Sequence, residues 1–181
     1  MALIPYADED PQDERAEKVV GRLPEPRINL FRMLANAPAL IGPTLRLGEA
    51  ILTKSDMDPK LRELVILRVA RVTGSEYEWV QHESIARLVG LSDEEIAGGR
   101  DDRRAALRLV DALLASADAT PSEELVAEVE AELGRAQLLE VILTTGYYAM
   151  LGGMMRAVRL DVDHVLEKGM LDSERLGRRD P

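Results

Sequence analysis

The chain has 181 residues, 46% of them hydrophobic but only 3% aromatic, enough for one domain with its own core. Its formal net charge of -10 repels phosphate backbones, and no basic stripe interleaved with aromatics offsets that charge, so nucleic acid is excluded as an expected partner. It contains no cysteine, which removes disulfides, thiolate metal centres, CxxC redox chemistry and a thiol nucleophile together.

Aliphatic residues and alanine recur at helical spacing between Gly and Pro breaks, and no segment alternates like a strand, so an all-α protein is expected. Residues 10–23 form a short mixed-charge helix with Val19, Val20 and Leu23 on one side, ended by Pro24 and Pro26. Asn29 is placed to cap Leu30 to Asn36. Pro38 opens a helix carrying Leu40, Ile41, Leu45, Leu47 and Ile51, with Pro43 tolerated in its first turns. Asp58 followed by Pro59 is the strongest start signal, and the apolar helix behind it runs to Gly74.

Ser75 and Glu78 have the S-x-x-E spacing of a capping box, heading a helix that runs to Gly90. Ser92 and Glu95 repeat the signal for a short helix ending at Gly98 and Gly99. Asp101 to Ala117 is amphipathic, with Ala105, Leu109, Ala112 and Leu113 on one face. Thr120 and Pro121 start another helix that ends near Gly134, and a long apolar segment, Leu138 to Val158, follows. Its Gly152-Gly153 pair permits close helix approach or a kink. RELVIL at Arg62 to Leu67 and LEVIL at Leu139 to Leu143 echo each other, which leaves a duplicated helical unit open.

The whole chain, 1–181, is read as a single domain with its helical core at about 27–158 and a frayed tail from about 171 to 181. The N-terminus, MALIPYADEDPQDE, lacks a charged region followed by an apolar one, and no apolar run reaches bilayer length. A cytoplasmic location and no membrane partner are therefore expected.

Any chemistry concentrates between Glu63 and His82. Glu63 shares its stripe with Ile66, Leu67 and Ala70, and His82 shares its own with Ile85, Ala86 and Val89, so both polar groups head apolar faces. Glu63 lies about 16 Å before the Gly74 turn and His82 about 12 Å after it, so an antiparallel hairpin brings them to nearly one level. Ser75, Glu78 and His82 fall at i, i+3 and i+7 on one face, and Glu78, four residues before His82, is placed to orient the imidazole. Ser75 or Tyr77 can donate a hydrogen bond to a substrate, and Phe31, Trp79 and Tyr147 can shape its cavity. Tyr148 beside Tyr147 is a further pocket candidate. Met150, Met154 and Met155 read as core or subunit-contact filler.

Each of these residues also has a plain structural reading. A capping box explains Ser75 and Glu78 completely, and a Glu–His pair between helices can be a buried polar clamp. Glu63, Glu78 and His82 also offer two carboxylates and an imidazole to a divalent ion. His164 is the only other histidine and there is no HExxH pattern, so no metal is expected.

The stretch LRELVILRVARVTGSEYEWVQHESIARLVGLSDEEI, with RINLFRMLANAPAL upstream and LLEVILTTGYYAM downstream, resembles the carboxymuconolactone decarboxylase and alkyl hydroperoxidase D-like superfamily. That resemblance implies a compact multi-helix bundle that forms a homo-oligomer: a dimer, trimer or hexamer. In the hydroperoxidase branch a glutamate, two cysteines and a histidine form a proton relay to a thiol pair. Glu63 and His82 match the glutamate and the histidine, while Ser75 and Glu78 stand at the two cysteines. Without sulfur, thiol peroxidase chemistry does not transfer. The relatives with a YEW-H motif keep one cysteine where this chain has Ser75, and many have an asparagine after the tyrosines where it reads YYAM. The decarboxylase branch works without redox cysteine or cofactor and implies a small carboxylated lactone as substrate. The expected function is cofactor-independent acid–base chemistry in which His82 shuttles a proton and Glu63 and Glu78 tune or relay it. The alternative is a non-catalytic binding or structural member.

Overall fold

A computed structural model describes residues 1–98, 104–116 and 118–163, and among them every regular element is helical. The elements are α1 (Glu14–Val20), α2 (Asn29–Leu34), α3 (Ile41–Thr53), α4 (Pro59–Thr73), α5 (Glu76–Leu88), α6 (Asp93–Ile96), α7 (Ala105–Leu114) and α8 (Glu123–Val158). α4 is the central rod, packed against α5, α7 and α8. Its sequence suits that position. Asp58 accepts hydrogen bonds from the N–H groups of Lys60 and Leu61, Pro59 takes the first turn, and Gly74 ends the helix at φ 67° in the left-handed region.

With neighbours on several sides, α4 buries nearly every residue from Leu61 to Ala70, including the charged Arg62 and Glu63. Arg68 at its edge forks onto both carboxylate oxygens of Asp111 at 2.6 Å, pinning α4 to α7. The main core runs through Leu64, Val65, Ile66, Val69, Leu109, Val110, Val129 and Val141, and a smaller cluster of Ala7, Ala35 and Ile41 lies under α1.

Several boundaries differ from the sequence reading. α1 starts after Asp13, whose carboxylate takes the N–H groups of Arg15 and Ala16. Asn29 is the first residue of α2 and not its cap; its N–H donates to Asp163 and its amide donates to the Asp161 carbonyl. Pro38 opens no helix, because Leu40 and Ile41 both donate to the Ala37 carbonyl in a turn before α3. α5, by contrast, ends as expected, at Leu88 with Val89 as cap and Gly90 just beyond it at φ 89° as the C-terminal glycine. Ser122, and not Thr120, caps α8.

α8 is interrupted at Gly134, whose φ 81° and ψ 165° are not helical, so two helical stretches meet at a kink there, as the sequence reading expects. Its Gly152-Gly153 pair stays helical. Glu140, the echo of Glu63, lies instead near the surface, accepting from Ser55 Oγ and the N–H groups of Asp56 and Met57. One helix, α8, is long and apolar enough to cross a membrane by length and composition, contrary to the sequence reading, and half of its apolar window is buried. Gly99, Asp101, Ala117, His164 and the tail at 171–181 lie outside the described residues.

A buried acid and base pair as candidate site

The Gly74 turn folds α5 back along α4, and Glu63 and His82 meet as their spacing requires. His82 Nδ1 lies 2.8 Å from Glu63 Oε2. The second carboxylate oxygen of Glu63 accepts from Arg62 Nε at 2.9 Å, and Arg62 Nη1 donates to the Leu52 carbonyl at the end of α3 at 2.8 Å. The Glu63 side chain is fully buried, while His82 keeps 9% of its side chain exposed. A carboxylate held by a guanidinium on one side accepts a hydrogen bond from Nδ1–H on the other, which keeps the proton on Nδ1 and leaves the Nε2 lone pair free. Nε2 has no hydrogen-bond partner among the described residues. The Tyr148 ring stands edge-on to the imidazole at 4.9 Å and restricts its rotation.

Glu78 does not orient His82; Glu63 has taken that role. Glu78 turns inward toward α8, where both its oxygens are buried without a hydrogen-bond partner. Burial pushes its pKa up to about 8, against smaller downward pulls from the nearby Ser75 hydroxyl and the charge of Arg156. It sits in the first turn of α5, where a helix favours a carboxylate, so desolvation outweighs the helix end here.

The expected capping box at Ser75 and Glu78 is absent: Ser75 occupies the N-cap position but makes no side-chain capping bond, and its Oγ is also buried without a partner. Gly152 makes room for both. A Cβ on Gly152 would lie 2.8 Å from Glu78 Oε2 and 3.1 Å from Ser75 Cβ. The same motif at Ser92 and Glu95, on the surface, does form a box.

The remaining predicted residues separate. The Tyr77 hydroxyl bonds Asp163 Oδ2 and accepts from the Leu30 N–H, which ties α5 to α2 and to the segment that follows α8; burial and the Asp163 carboxylate push the phenol far above its usual range. Tyr147 is likewise occupied, donating to the Thr44 carbonyl at 3.1 Å, with its pKa raised to about 12 by burial and the nearby Glu78. Phe31 is half-buried on α2, with no ring contact to the site among the described residues. Trp79 lies under the Arg71 guanidinium at 5.1 Å and, with Ala70, Arg71, Gly74, Ser75 and Glu76, lines an open groove of about 390 Å³ at the α4–α5 turn.

This groove ends at Ser75, behind which Glu78 lies; Glu63 and His82 are not part of its lining. No three His, Asp or Glu side chains gather to hold a metal ion among the described residues, so the Glu63, Glu78 and His82 cation site does not form.

Sequence reading missed Arg62, Gly152 and Asp163. Arg62 looks like a solvent-facing neighbour of Glu63, and only the depth of α4 reveals it. Gly152 had a signal in its glycine pair. Asp163 had none, because its partners on α2 and α5 are more than 80 residues away or arrive through backbone N–H groups.

Residues 38–120 match the model of the Carboxymuconolactone decarboxylase family. That span holds α3 to α7 with Arg62, Glu63, Ser75, Glu78 and His82, and leaves Tyr148 and Gly152 of α8 outside it. No curated protein matches the chain.

Proposed function

We propose that this chain, whose residues 38–120 are of the carboxymuconolactone decarboxylase family, performs cofactor-independent acid–base chemistry on a small organic acid or lactone. The observation that carries the reading is the division of labour between two buried carboxyl groups. Glu63, fixed by Arg62, holds His82 with its Nε2 lone pair free, while Glu78, with no partner, is held neutral up to about pH 8. A neutral carboxyl on Glu78 offers a proton donor and the free Nε2 of His82 a proton acceptor, both carried on α5.

In a decarboxylation, the bond to the substrate carboxylate breaks and CO₂ leaves. The electron pair remains on carbon, delocalised into an adjacent carbonyl, and is quenched by one proton. Glu78 donates that proton and recovers one from solvent through the Ser75 end of the groove. In an isomerisation without loss of CO₂, His82 Nε2 removes a proton and Glu78 hydrogen-bonds the developing enolate oxygen. Arg71 and Trp79 give the groove a cation and a flat apolar wall, which suits a planar or cyclic carboxylate.

The test is turnover. Small carboxylated γ-lactones are assayed for CO₂ release and for isomerisation, with His82→Gln and Glu63→Gln expected to lower kcat by about 10²–10⁴-fold. Unchanged turnover in both variants rejects these roles. A second reading draws on the near-complete burial of the Glu63–His82 pair: a polar clamp in a non-catalytic member. It predicts no turnover of any of these lactones by the wild type.

A further inference from the structure

Two neighbouring residues of α4, Arg62 and Glu63, are both charged and both buried, at 3% and 0% exposure. A buried ion pair is a poor way to stabilise a helix, because apolar side chains of similar volume usually hold it at least as well. The place of the arginine gives it another use. Its Nε donates to Glu63 Oε1 at 2.9 Å and its Nη1 to the Leu52 carbonyl at 2.8 Å. Leu52 lies in the last turn of α3, where carbonyls lack intrahelical donors and the helix end carries partial negative charge. A guanidinium does not lose its proton, so the cation fixed there is permanent. The other oxygen of Glu63 faces His82 Nδ1 at 2.8 Å.

Charge balance decides where the protons lie. A buried carboxylate with no cation beside it draws a proton. Without Arg62, the Glu63–His82 pair would hold one more proton, in one of two forms. In the first, a carboxylate faces an imidazolium that carries N–H on both ring nitrogens. In the second, a neutral carboxyl donates its O–H to Nδ1 and the ring proton sits on Nε2. Nε2 is occupied in both. With Arg62 in place, the charge of Glu63 is already balanced, Nδ1 keeps the one ring proton, and Nε2 keeps its lone pair. The groups around the ring leave this count unchanged among the described residues. Tyr148 on α8 is held neutral by burial. Glu78, one turn earlier on α5, is neutral up to about pH 8, with Arg156 of α8 on its far side. Glu83 and Asp93 both pair with Arg87, and Glu95 closes the cap of α6.

We propose that Arg62 is a positioning residue that acts through Glu63 to keep His82 Nε2 unprotonated. Its kinetic consequence rests on the reading of His82 as a base, whereas the state of the ring is measured without substrate. Nitrogen-15 histidine NMR reads both ring nitrogens, and His164→Gln assigns the signals of the two histidines. At pH 7 the wild type is expected to carry its proton on Nδ1 with Nε2 bare. Arg62→Met is expected to show Nε2 protonated, with the pH at which that proton leaves raised by at least about one unit. Arg62→Lys, which keeps the charge, and Arg62→Met with Glu63→Gln, which removes both charges, are each expected to return Nε2 to the bare state. An arginine that only fills space does not give that pattern.

A bare Nε2 in Arg62→Met at pH 7 overturns the proposal, as does a protonated Nε2 in the wild type. Should Arg62→Met alone not fold, Glu63→Gln is compared with and without Arg62. Removing the arginine there is expected to raise the pH of Nε2 deprotonation by at least about one unit, and no change overturns the proposal. In turnover of a carboxylated γ-lactone, the acid limb of kcat/KM is expected to move upward in Arg62→Met by the same amount. The NMR pattern without turnover by the wild type supports the role of Arg62 and rejects the acid–base enzyme. Turnover by Arg62→Met with an unmoved acid limb overturns the role of Arg62 and leaves the enzyme standing.

Discussion

Replacing Glu78 with glutamine removes a group that the fold holds in the wrong solvent for its charge. The wild-type carboxyl titrates at about 8 against an ordinary value of 4.5. Between those two values the unfolded chain is ionised at this position while the folded chain stays protonated. Wild-type stability from this group is therefore highest below pH 4.5, falls as pH rises toward about 8, and is flat above. At about 1.36 kcal/mol per pH unit the cost is about 3 kcal/mol near pH 7 and about 5 kcal/mol above pH 8.

Glu78→Gln carries no such cost, and its amide can place a donor near the Ser75 hydroxyl. The variant is expected to gain about 2–3 kcal/mol near pH 7 and under about 1 kcal/mol near pH 5, while losing turnover. Urea unfolding at several pH values, followed by circular dichroism, measures both curves. If wild type and variant run parallel from pH 5 to pH 9, Glu78 is not held neutral and its role as acid fails.

Gly152→Ala pushes a methyl into Glu78 Oε2 and Ser75; thermal unfolding should show a loss of about 1–3 kcal/mol, and steady-state kinetics a fall in kcat of up to about 100-fold. Glu63→Gln removes the charged partner shared by the buried Arg62 guanidinium and His82 and should lower stability by about 1–3 kcal/mol in denaturant unfolding. The adjacent tyrosines should separate: Tyr147→Phe gives up the bond to the Thr44 carbonyl and about 1 kcal/mol of stability, with kcat nearly intact. Tyr148→Phe, whose hydroxyl has no hydrogen-bond partner among the described residues, should retain stability and lower kcat/KM.

The sequence disclosed what local chemistry decides. Asp58-Pro59 and Gly74 mark both ends of α4, and the residue counts on either side of Gly74 bring Glu63 level with His82. It could not disclose what a neighbouring helix decides. Ser75 with Glu78 and Ser92 with Glu95 are the same motif, but the second remains on the surface and closes its capping box. The first lies against Gly152, where the missing Cβ leaves room for the carboxyl group to lie inward, away from the cap. The two tyrosines could not be told apart either, since helical spacing buries both and only α3 takes up the hydroxyl of Tyr147. Gly134 reads as a terminus because its backbone does leave the helix, and the two stretches of α8 meet at that kink.

The central claim is that this site moves a proton between solvent and carbon through His82 and Glu78. Its most direct measurement is deuterium incorporation during turnover of a carboxylated γ-lactone in heavy water, followed by proton NMR. One solvent deuteron per product molecule from the wild type, with the rate of labelled product formation falling at least about 10²-fold in His82→Gln and Glu78→Gln, is the result the account predicts. Labelled product formed at the wild-type rate by both variants, or no labelled product from the wild type, would contradict it.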